Sequence, residues 1–336
     1  MAEEVKELIN EETKAEETTA KTDGKEKGKV QRKKGFRLLI VGLVLVLGSA
    51  IFAVYARQTS YRQSKIVGGE LSSVKSKISS IEAGKSEGNL ESLKKTSESL
   101  AEEKLSLERP YSFSVTLLFL ALALFIKGLY NAFVGVHPSQ ALDTKRLALA
   151  GFMAALCYIG FAFFKIDIPV GTEKTAFHLG NVFCVLAALL LGGYLGGLAG
   201  AVGMTIGDLT TSYVTSAPKT FLLKLLIGLI VGLVAHKIFK LSRAHSAKFV
   251  TGVTILASIC GMLFNVFADP TVGYFYKIYV LGIPQEVASI FAKWTALTTF
   301  VNAIVAVICA SVFYLALRPA LKKSGLFPSV SAEEEA

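Results

Sequence analysis

Charged residues are scarce in this chain. Asp, Glu, Lys and Arg make up 18% of its 336 residues, whereas 52% are hydrophobic, and the mean hydropathy is +0.51. An ordinary soluble domain carries about 25% charged residues, so the composition excludes that class. It predicts instead a polytopic membrane protein that has the bilayer as its solvent.

Signatures of metal, disulfide and nucleotide sites are also lacking. The cysteines lie inside apolar runs without CxxC spacing and are interpreted as small core residues: Cys157, Cys184, Cys260 and Cys309. No GxxxxGK[ST] loop is present to bind nucleotide phosphates, and no HExxH occurs. Only His178 and Asp208 could supply pieces of an intramembrane catalytic site. We therefore expect no enzyme activity, no metal and no cofactor.

Long apolar runs dominate what is present. A helix needs about 20 apolar residues to cross the hydrocarbon core, and the sequence predicts an all-α protein with eight candidate spans. The fourth and fifth are short, so one bent hairpin is the alternative there. The spans are 37–56, 111–133, 147–164, 176–192, 194–208, 220–240, 249–268 and 287–317.

The basic residues indicate orientation. The formal charge is +10, but the Lys and Arg residues are spread over loops instead of forming a patch for nucleic acid. A positive-inside bias explains them and predicts a multi-pass protein of the cell membrane with both termini cytoplasmic. The residues placed inside are Lys145, Arg146, Lys237, Lys240, Arg243, Lys248, Arg318, Lys322 and Lys323.

Four regions are predicted along the chain. Residues 1–35 are interpreted as a disordered cytoplasmic tail. Residues 36–136 are predicted to hold two transmembrane helices with an external polar helical hairpin at 57–110, although a solvated spacer is the alternative. The sequence Val54-Tyr55-Ala56 resembles a signal-peptide cleavage site, but the long lead favours an uncleaved anchor. A six-helix core at 144–322 and a cytoplasmic tail at 323–336 follow.

Small residues mark the start of the third span. Ala150 and Ala154, like Gly151 and Ala155, are one helical turn apart. Small residues at this spacing let a second helix approach closely in lipid. We expect a partner contact at these four residues, although such spacing also arises by chance.

Several glycine-rich and polar motifs follow in the core. They read TAFHLGN at 175–181, LGGYLGGLAG at 191–200, GMTIGD at 203–208 and SAPKT at 216–220. Together they resemble the substrate-binding S component of energy-coupling factor (ECF) vitamin transporters, in the riboflavin-type branch. The resemblance covers 144–322; the N-terminal third departs from it, because S components usually consist of the six helices alone.

The resemblance implies a function in uptake. Such a protein captures a vitamin or related micronutrient, here possibly riboflavin, from outside. It works with a transmembrane coupling (T) component and two ATPase subunits, and the Ala-xxx-Ala of the third span corresponds to that family's contact with the T component. The pocket of S components lies near the outer face, built by the last three helices and the external loops.

Polar residues at membrane depth are the candidate ligand contacts, because burying them in lipid is costly. Structural alternatives stay open for several of them: an interhelical hydrogen bond for His178 with Asn181, a mutual ion pair for Asp208 with Lys219, snorkelling for Lys224 and a carboxylate partner for Lys293. Asn302 is interpreted as an interhelical hydrogen bond. The candidates are His178, Asn181, Asp208, Lys219, Lys224, Asn265, Asp269, Lys293 and Trp294.

A different class of function remains open from the sequence. In that alternative the chain is a membrane-anchored structural or sensory protein that acts through its external hairpin, and the six helices serve only as an anchor. Survival of ligand uptake after deletion of residues 1–143 would argue against it.

Overall fold

The computed structural model describes residues 36–85, 87–133, 144–170, 173–243 and 245–323. The predicted N-terminal tail lies outside the described residues, and so does the C-terminal tail apart from Lys323. Within them the chain is almost wholly helical, with a single two-stranded sheet.

Eight helices follow one another in the described ranges. They are α1 (Phe36–Glu82), α2 (Leu90–Phe133), α3 (Thr144–Ala162), α4 (Gly180–Leu191), α5 (Gly193–Thr210), α6 (Ala217–Gly232), α7 (Ala247–Phe275) and α8 (Gln285–Lys323). Short π-helical turns interrupt α1 at Arg57–Tyr61 and extend α6 through Leu233–Ile238 and α7 through Tyr276–Val280. Six of the helical segments are long and apolar enough to cross a membrane. The predicted all-α polytopic class is confirmed.

The predicted start of the fourth span is wrong. Two strands, β1 (Lys165–Val170) and β2 (Glu173–His178), pair in an antiparallel hairpin, with Lys165 opposite His178. Lys-Ile-Asp-Ile alternates polar and β-branched residues, which is a strand pattern. The helix begins only at Gly180, so His178 is a strand residue and does not share a helical face with Asn181.

Helices α4 and α5 are separate and antiparallel, joined at Gly192. This residue has a φ of +85°, a conformation that favours glycine. Beyond the turn the two backbones pack closely, because a Cβ placed on Gly196 would lie within 2.3 Å of the Ala187 carbonyl oxygen. The glycine-rich motif of α5 therefore serves helix packing.

The main apolar core surrounds α4. Almost every residue of α4 is buried, and α3, α5, α6 and α8 pack around it. Its fully buried side chains include Val185 and Leu189. A helix enclosed by protein does not need to match the bilayer thickness, which accounts for its 12 residues.

The N-terminal helices contribute to two compact units. Residues 36–49 and 120–133 form the first unit, in which α1 and α2 approach closely at glycines: a Cβ on Gly42 would lie 2.8 Å from the Phe125 Cα, and one on Gly128 2.6 Å from the Leu39 nitrogen. The second unit contains residues 50–119 together with the described part of the chain from Thr144 onward.

Most of the described residues between 57 and 110 lie in α1 and α2, which form a helical hairpin. The ends of α1 and α2 meet at the ion pair Glu82–Lys94, with 3.0 Å between Oε1 and Nζ. The Asn89 side chain accepts a hydrogen bond from the Ser92 amide at 3.1 Å, as an N-cap residue does. Val67 and Leu71 of α1 are buried.

Candidate ligand-binding site

A small cavity lies at the end of the six-helix core that carries the β-hairpin. It encloses about 70 Å³. Its walls come from β2 and the ends of α3 to α8. They are formed by Phe161, Lys174, Thr175, Ala176, His178, Asn181, Met204, Asp208, Tyr213, Ser216, Lys219, Thr220, Leu223, Lys224, Asp269, Phe291, Thr295, Thr298, Thr299 and Asn302.

One partly buried ion pair lies in this wall. Lys219 Nζ is 2.5 Å from Asp269 Oδ1, and the Thr299 hydroxyl donates to Asp269 Oδ2 at 3.1 Å. Both carboxylate oxygens thus have a partner, and α6, α7 and α8 are tied together at the cavity. The alternative that Lys219 pairs with Asp208 is wrong.

Two further charged residues in the wall have no such partner. Lys224 is 5% exposed and Asp208 is 3% exposed, yet neither forms an ion pair with any residue that the structure describes. The Oδ2 atom of Asp208 is buried without a hydrogen-bond partner there. The Asp208 side chain also has a hydrogen bond with Thr220, so the groups left for a polar ligand are the second carboxylate oxygen of Asp208 and the Lys224 ammonium. Lys224 faces the cavity instead of snorkelling outward.

The β-hairpin is pinned to α8 by polar side chains. Asn302 Oδ1 accepts from the His178 amide and Asn302 Nδ2 donates to the Ala176 carbonyl, both at 3.0 Å. The hydroxyls of Thr175 and Thr298 are 2.8 Å apart. Asn302 is structural, as predicted, although it bonds a strand and not a second helix.

The His178 ring lies at the cavity between aromatic and charged neighbours. It packs edge-on against Phe161, with 5.0 Å between the ring centroids. Burial, together with the nearby positive charge of Lys224, lowers the pKa of His178 from its usual 6.5 to about 3. The Nδ1 atom is buried without a partner among the described residues. The ring is therefore neutral near pH 7 and can accept or donate one hydrogen bond.

Aromatic rings complete the wall. Phe161 and Tyr213 pack edge-to-face at 5.5 Å, and Lys165 Nζ lies 4.7 Å from the centroid of Tyr213. The Tyr213 hydroxyl donates to Asp167 at 2.9 Å; burial, reinforced by this carboxylate, raises the tyrosine pKa. On the opposite element Phe291 borders the cavity. Rings beside a few polar groups are typical of small-molecule sites.

The structure brings six of the nine candidate residues to the cavity. These are His178, Asn181, Asp208, Lys219, Lys224 and Asp269. Asn265 is fully buried on α7, with both amide atoms lacking a partner among the described residues, but it does not border the cavity. Lys293 and Trp294 are exposed on α8.

Helical periodicity explains why some polar residues of α8 line the cavity while Lys293 does not. The cavity-lining residues of this face were not identified from the sequence as ligand contacts. Thr295, Thr298, Thr299 and Asn302 recur at the three- and four-residue spacing of one face, and this face lines the cavity. Lys293 falls on a different face of α8. The polar stripe was a readable signal in an apolar helix, whereas Phe161 and Tyr213 carried none.

The small residues of α3 are divided between two faces. Ala150 is buried, and the Ala154 carbonyl would lie only 2.1 Å from a Cβ on Gly203 of α5. Gly151 and Ala155 are exposed, and a Cβ on Gly151 would meet nothing within 4 Å. Only Gly151 and Ala155 thus remain accessible to another chain.

These features define an all-α, multi-pass membrane protein with a small end cavity lined by polar and aromatic residues and an accessible small-residue face. Within the described residues no cluster of His, Cys, Asp and Glu could hold a metal ion.

A family model gives the more particular identification. The model for the ECF-type riboflavin transporter, S component, matches residues 141–319. The match spans more than half of the chain, so the chain belongs to this family. No curated protein and no solved structure matches this chain. The chain is accordingly a substrate-binding transporter subunit, and its family is one of transport components and not of enzymes.

Proposed function

We propose that this chain captures riboflavin, or a closely related ring-bearing micronutrient, at the outer face of the cell membrane. ATP hydrolysis by partner subunits then drives import. The observation that carries the proposal is the pair of buried, unpaired groups Lys224 and Asp208 beside aromatic rings in one cavity. The family match supports the ligand class.

The two unpaired groups suit a ligand that both donates and accepts hydrogen bonds. The Lys224 ammonium can only donate, and an ionised Asp208 can only accept. A ring with adjacent carbonyl and N–H groups, as in a flavin, offers both. Phe161, Tyr213 and Phe291 then supply apolar contact for the rest of the ring.

Binding requires the cavity to widen. A volume of about 70 Å³ accommodates about five water molecules, whereas pockets for vitamin-sized ligands enclose roughly 300–1,000 Å³. The β-hairpin is the element best suited to move, because a few polar contacts hold it to α8, through Asn302 and Thr298. Its displacement opens the cavity without disturbing the core around α4.

The proposed partners are a T component and two ATPase subunits. Gly151 and Ala155 form the accessible small-residue face of α3, which is suited to close helix packing in lipid. ATP hydrolysis is assigned to other chains, because the sequence has no phosphate-binding GxxxxGK[ST] loop. The positive-inside pattern orients both termini toward the cytoplasm.

The proposal is tested with protein purified in mild detergent after expression in rich medium. Mass spectrometry of the released small molecules should find a flavin in stoichiometric amount. Titration of the emptied protein with riboflavin should quench flavin fluorescence with saturation. If no small molecule is retained and a panel of vitamins gives no saturable binding, the proposal fails.

A further inference from the structure

The base of the helical hairpin contacts the turn that joins α7 to α8. Ala56 and Tyr61 of α1, Tyr111 of α2 and Leu281 of the turn form one buried apolar cluster, which we call the docking cluster. All these residues belong to the same compact unit. The hairpin lies outside residues 141–319, the part matched by the family.

Specific contacts hold the turn in this cluster. The rings of Tyr61 and Tyr111 pack against each other at a tilt of 32°, with their centroids 4.7 Å apart, and the Tyr61 hydroxyl donates to the Leu281 carbonyl at 3.3 Å. Gly282 adopts a φ of +66°, and a Cβ there would lie 2.9 Å from Lys65 Nζ. The hairpin therefore touches the turn through aromatic, polar and backbone contacts.

The contacted turn connects two walls of the cavity. The α7 helix, which precedes it, carries Asp269, and α8, which follows it, carries Phe291 and Thr295. Lys277 lies within the contacted segment, is 5% exposed and places its Nζ 3.9 Å from the centroid of the Phe291 ring. A shift of the turn consequently moves a ring that borders the cavity.

We propose that the docking cluster positions the α7–α8 turn and thereby sets the affinity of the ligand pocket. Tyr61 and Tyr111 are positioning residues: they touch the turn and act on the pocket through Leu281, Lys277 and Phe291. The base of the helical hairpin thus holds one wall of the site in position. The statement on affinity depends on the proposed function, whereas the statement on the turn does not.

The contact between the helical hairpin and the α7–α8 turn is expected to restrict the motion of the turn. A short turn with a positive-φ glycine opens easily unless its side chains are packed. Burial of the Tyr61 and Tyr111 rings together with Leu281 opposes this opening, since an aromatic pair contributes beyond its buried area. Holding a binding wall in place reduces the ordering cost of binding. The docking cluster therefore increases the affinity of the pocket without contacting the ligand.

The test uses the full-length chain with Tyr111→Ala and Leu281→Ala, and hydrogen exchange of residues 276–284 is followed without added ligand. Loss of the aromatic contact should speed exchange there by about two- to ten-fold. Riboflavin affinity should fall by a similar factor. Tyr111→Phe, which keeps the ring, should behave as the wild type.

Leu71→Ala is the matched control, because Leu71 is buried in the hairpin away from the docking cluster. It should leave exchange of the turn unchanged. Equal exchange in Tyr111→Ala and wild type, or an equal effect of Leu71→Ala, overturns the inference. If Tyr111→Ala does not fold, Tyr61→Phe removes only the hydroxyl bonded to Leu281 and should still speed exchange.

The outcomes separate this inference from the proposed function. If wild-type protein binds no riboflavin while exchange of the turn responds as expected, the proposed ligand fails and the positioning stands. If riboflavin binds with equal affinity in wild type and Tyr111→Ala, the inference that the docking cluster sets the affinity is wrong and the proposed ligand stands.

Discussion

Two sets of charged residues border the cavity, and they differ in how they are satisfied. Lys219 and Asp269, with Thr299, form a closed group in which both carboxylate oxygens have partners. Lys224 and Asp208 are more deeply buried but have no ion-pair partner among the described residues. The difference teaches that burial of a charge alone does not identify a ligand contact. We propose that the second set contacts the ligand and that the first has a structural role.

Asp269→Asn should have the largest effect on stability. It leaves the partly buried Lys219 without its counter-charge. Breaking a fully buried pair in this way costs on the order of 3 kcal/mol, and a cost somewhat below this value is expected here. Thermal unfolding in detergent should show a clear loss. The double variant Lys219→Met with Asp269→Leu should recover most of it, because the unpaired charge is gone. A single variant as stable as the wild type would show that the pair is not structural.

Lys224→Met should weaken ligand binding without lowering stability, in contrast to Asp269→Asn. Removing an unpaired buried charge should preserve or increase stability, while loss of a charged hydrogen bond should weaken riboflavin binding by about ten-fold or more. Calorimetric or fluorescence titration measures the affinity, and thermal unfolding the stability. Large destabilisation with unchanged affinity would reverse the roles of the two sets.

His178 should produce a pH dependence of stability. Its folded-state pKa of about 3 lies below the usual 6.5, so the unfolded chain binds the proton more readily between these values. Stability should be constant above pH 7 and decrease as the pH falls from 6.5 toward 3. His178→Gln should weaken this dependence in unfolding measured at several pH values. An identical profile for the variant would place the titration elsewhere.

Thr298→Val should have the smallest effect. It removes the hydroxyl that lies 2.8 Å from the Thr175 hydroxyl but keeps the shape of the side chain. A cost of about 1 kcal/mol is expected for one such hydrogen bond. Hydrogen exchange of β1 and β2 should become faster while the rest of the core is unchanged. Faster exchange throughout the core would show that the β-hairpin does not move separately from the core.

Much of the fold could be predicted from the sequence, because apolar length and loop charge are local properties. The helices of the core and the helical hairpin followed from them. The β-hairpin was missed since its second strand, ending at His178, merges with the apolar run of α4. Hydropathy does not distinguish an apolar strand from the start of a helix.

The site could be predicted only in part. Asp208, Lys219 and Lys224 were identified as polar residues in apolar runs, and all three border the cavity. Which of them is paired depends on contacts between helices distant in sequence, such as that of Lys219 with Asp269. The separation of Gly151 from Ala154 likewise depends on where α5 packs.

The most direct test of the central claim is a riboflavin titration of three purified proteins, wild type, Lys224→Met and Lys293→Met. Both substitutions remove one lysine from a helix of the core, but Lys293 is exposed and lies outside the cavity. The account predicts saturable binding by wild type and Lys293→Met and weaker binding by Lys224→Met of about ten-fold or more. Equal affinity in all three proteins would contradict it.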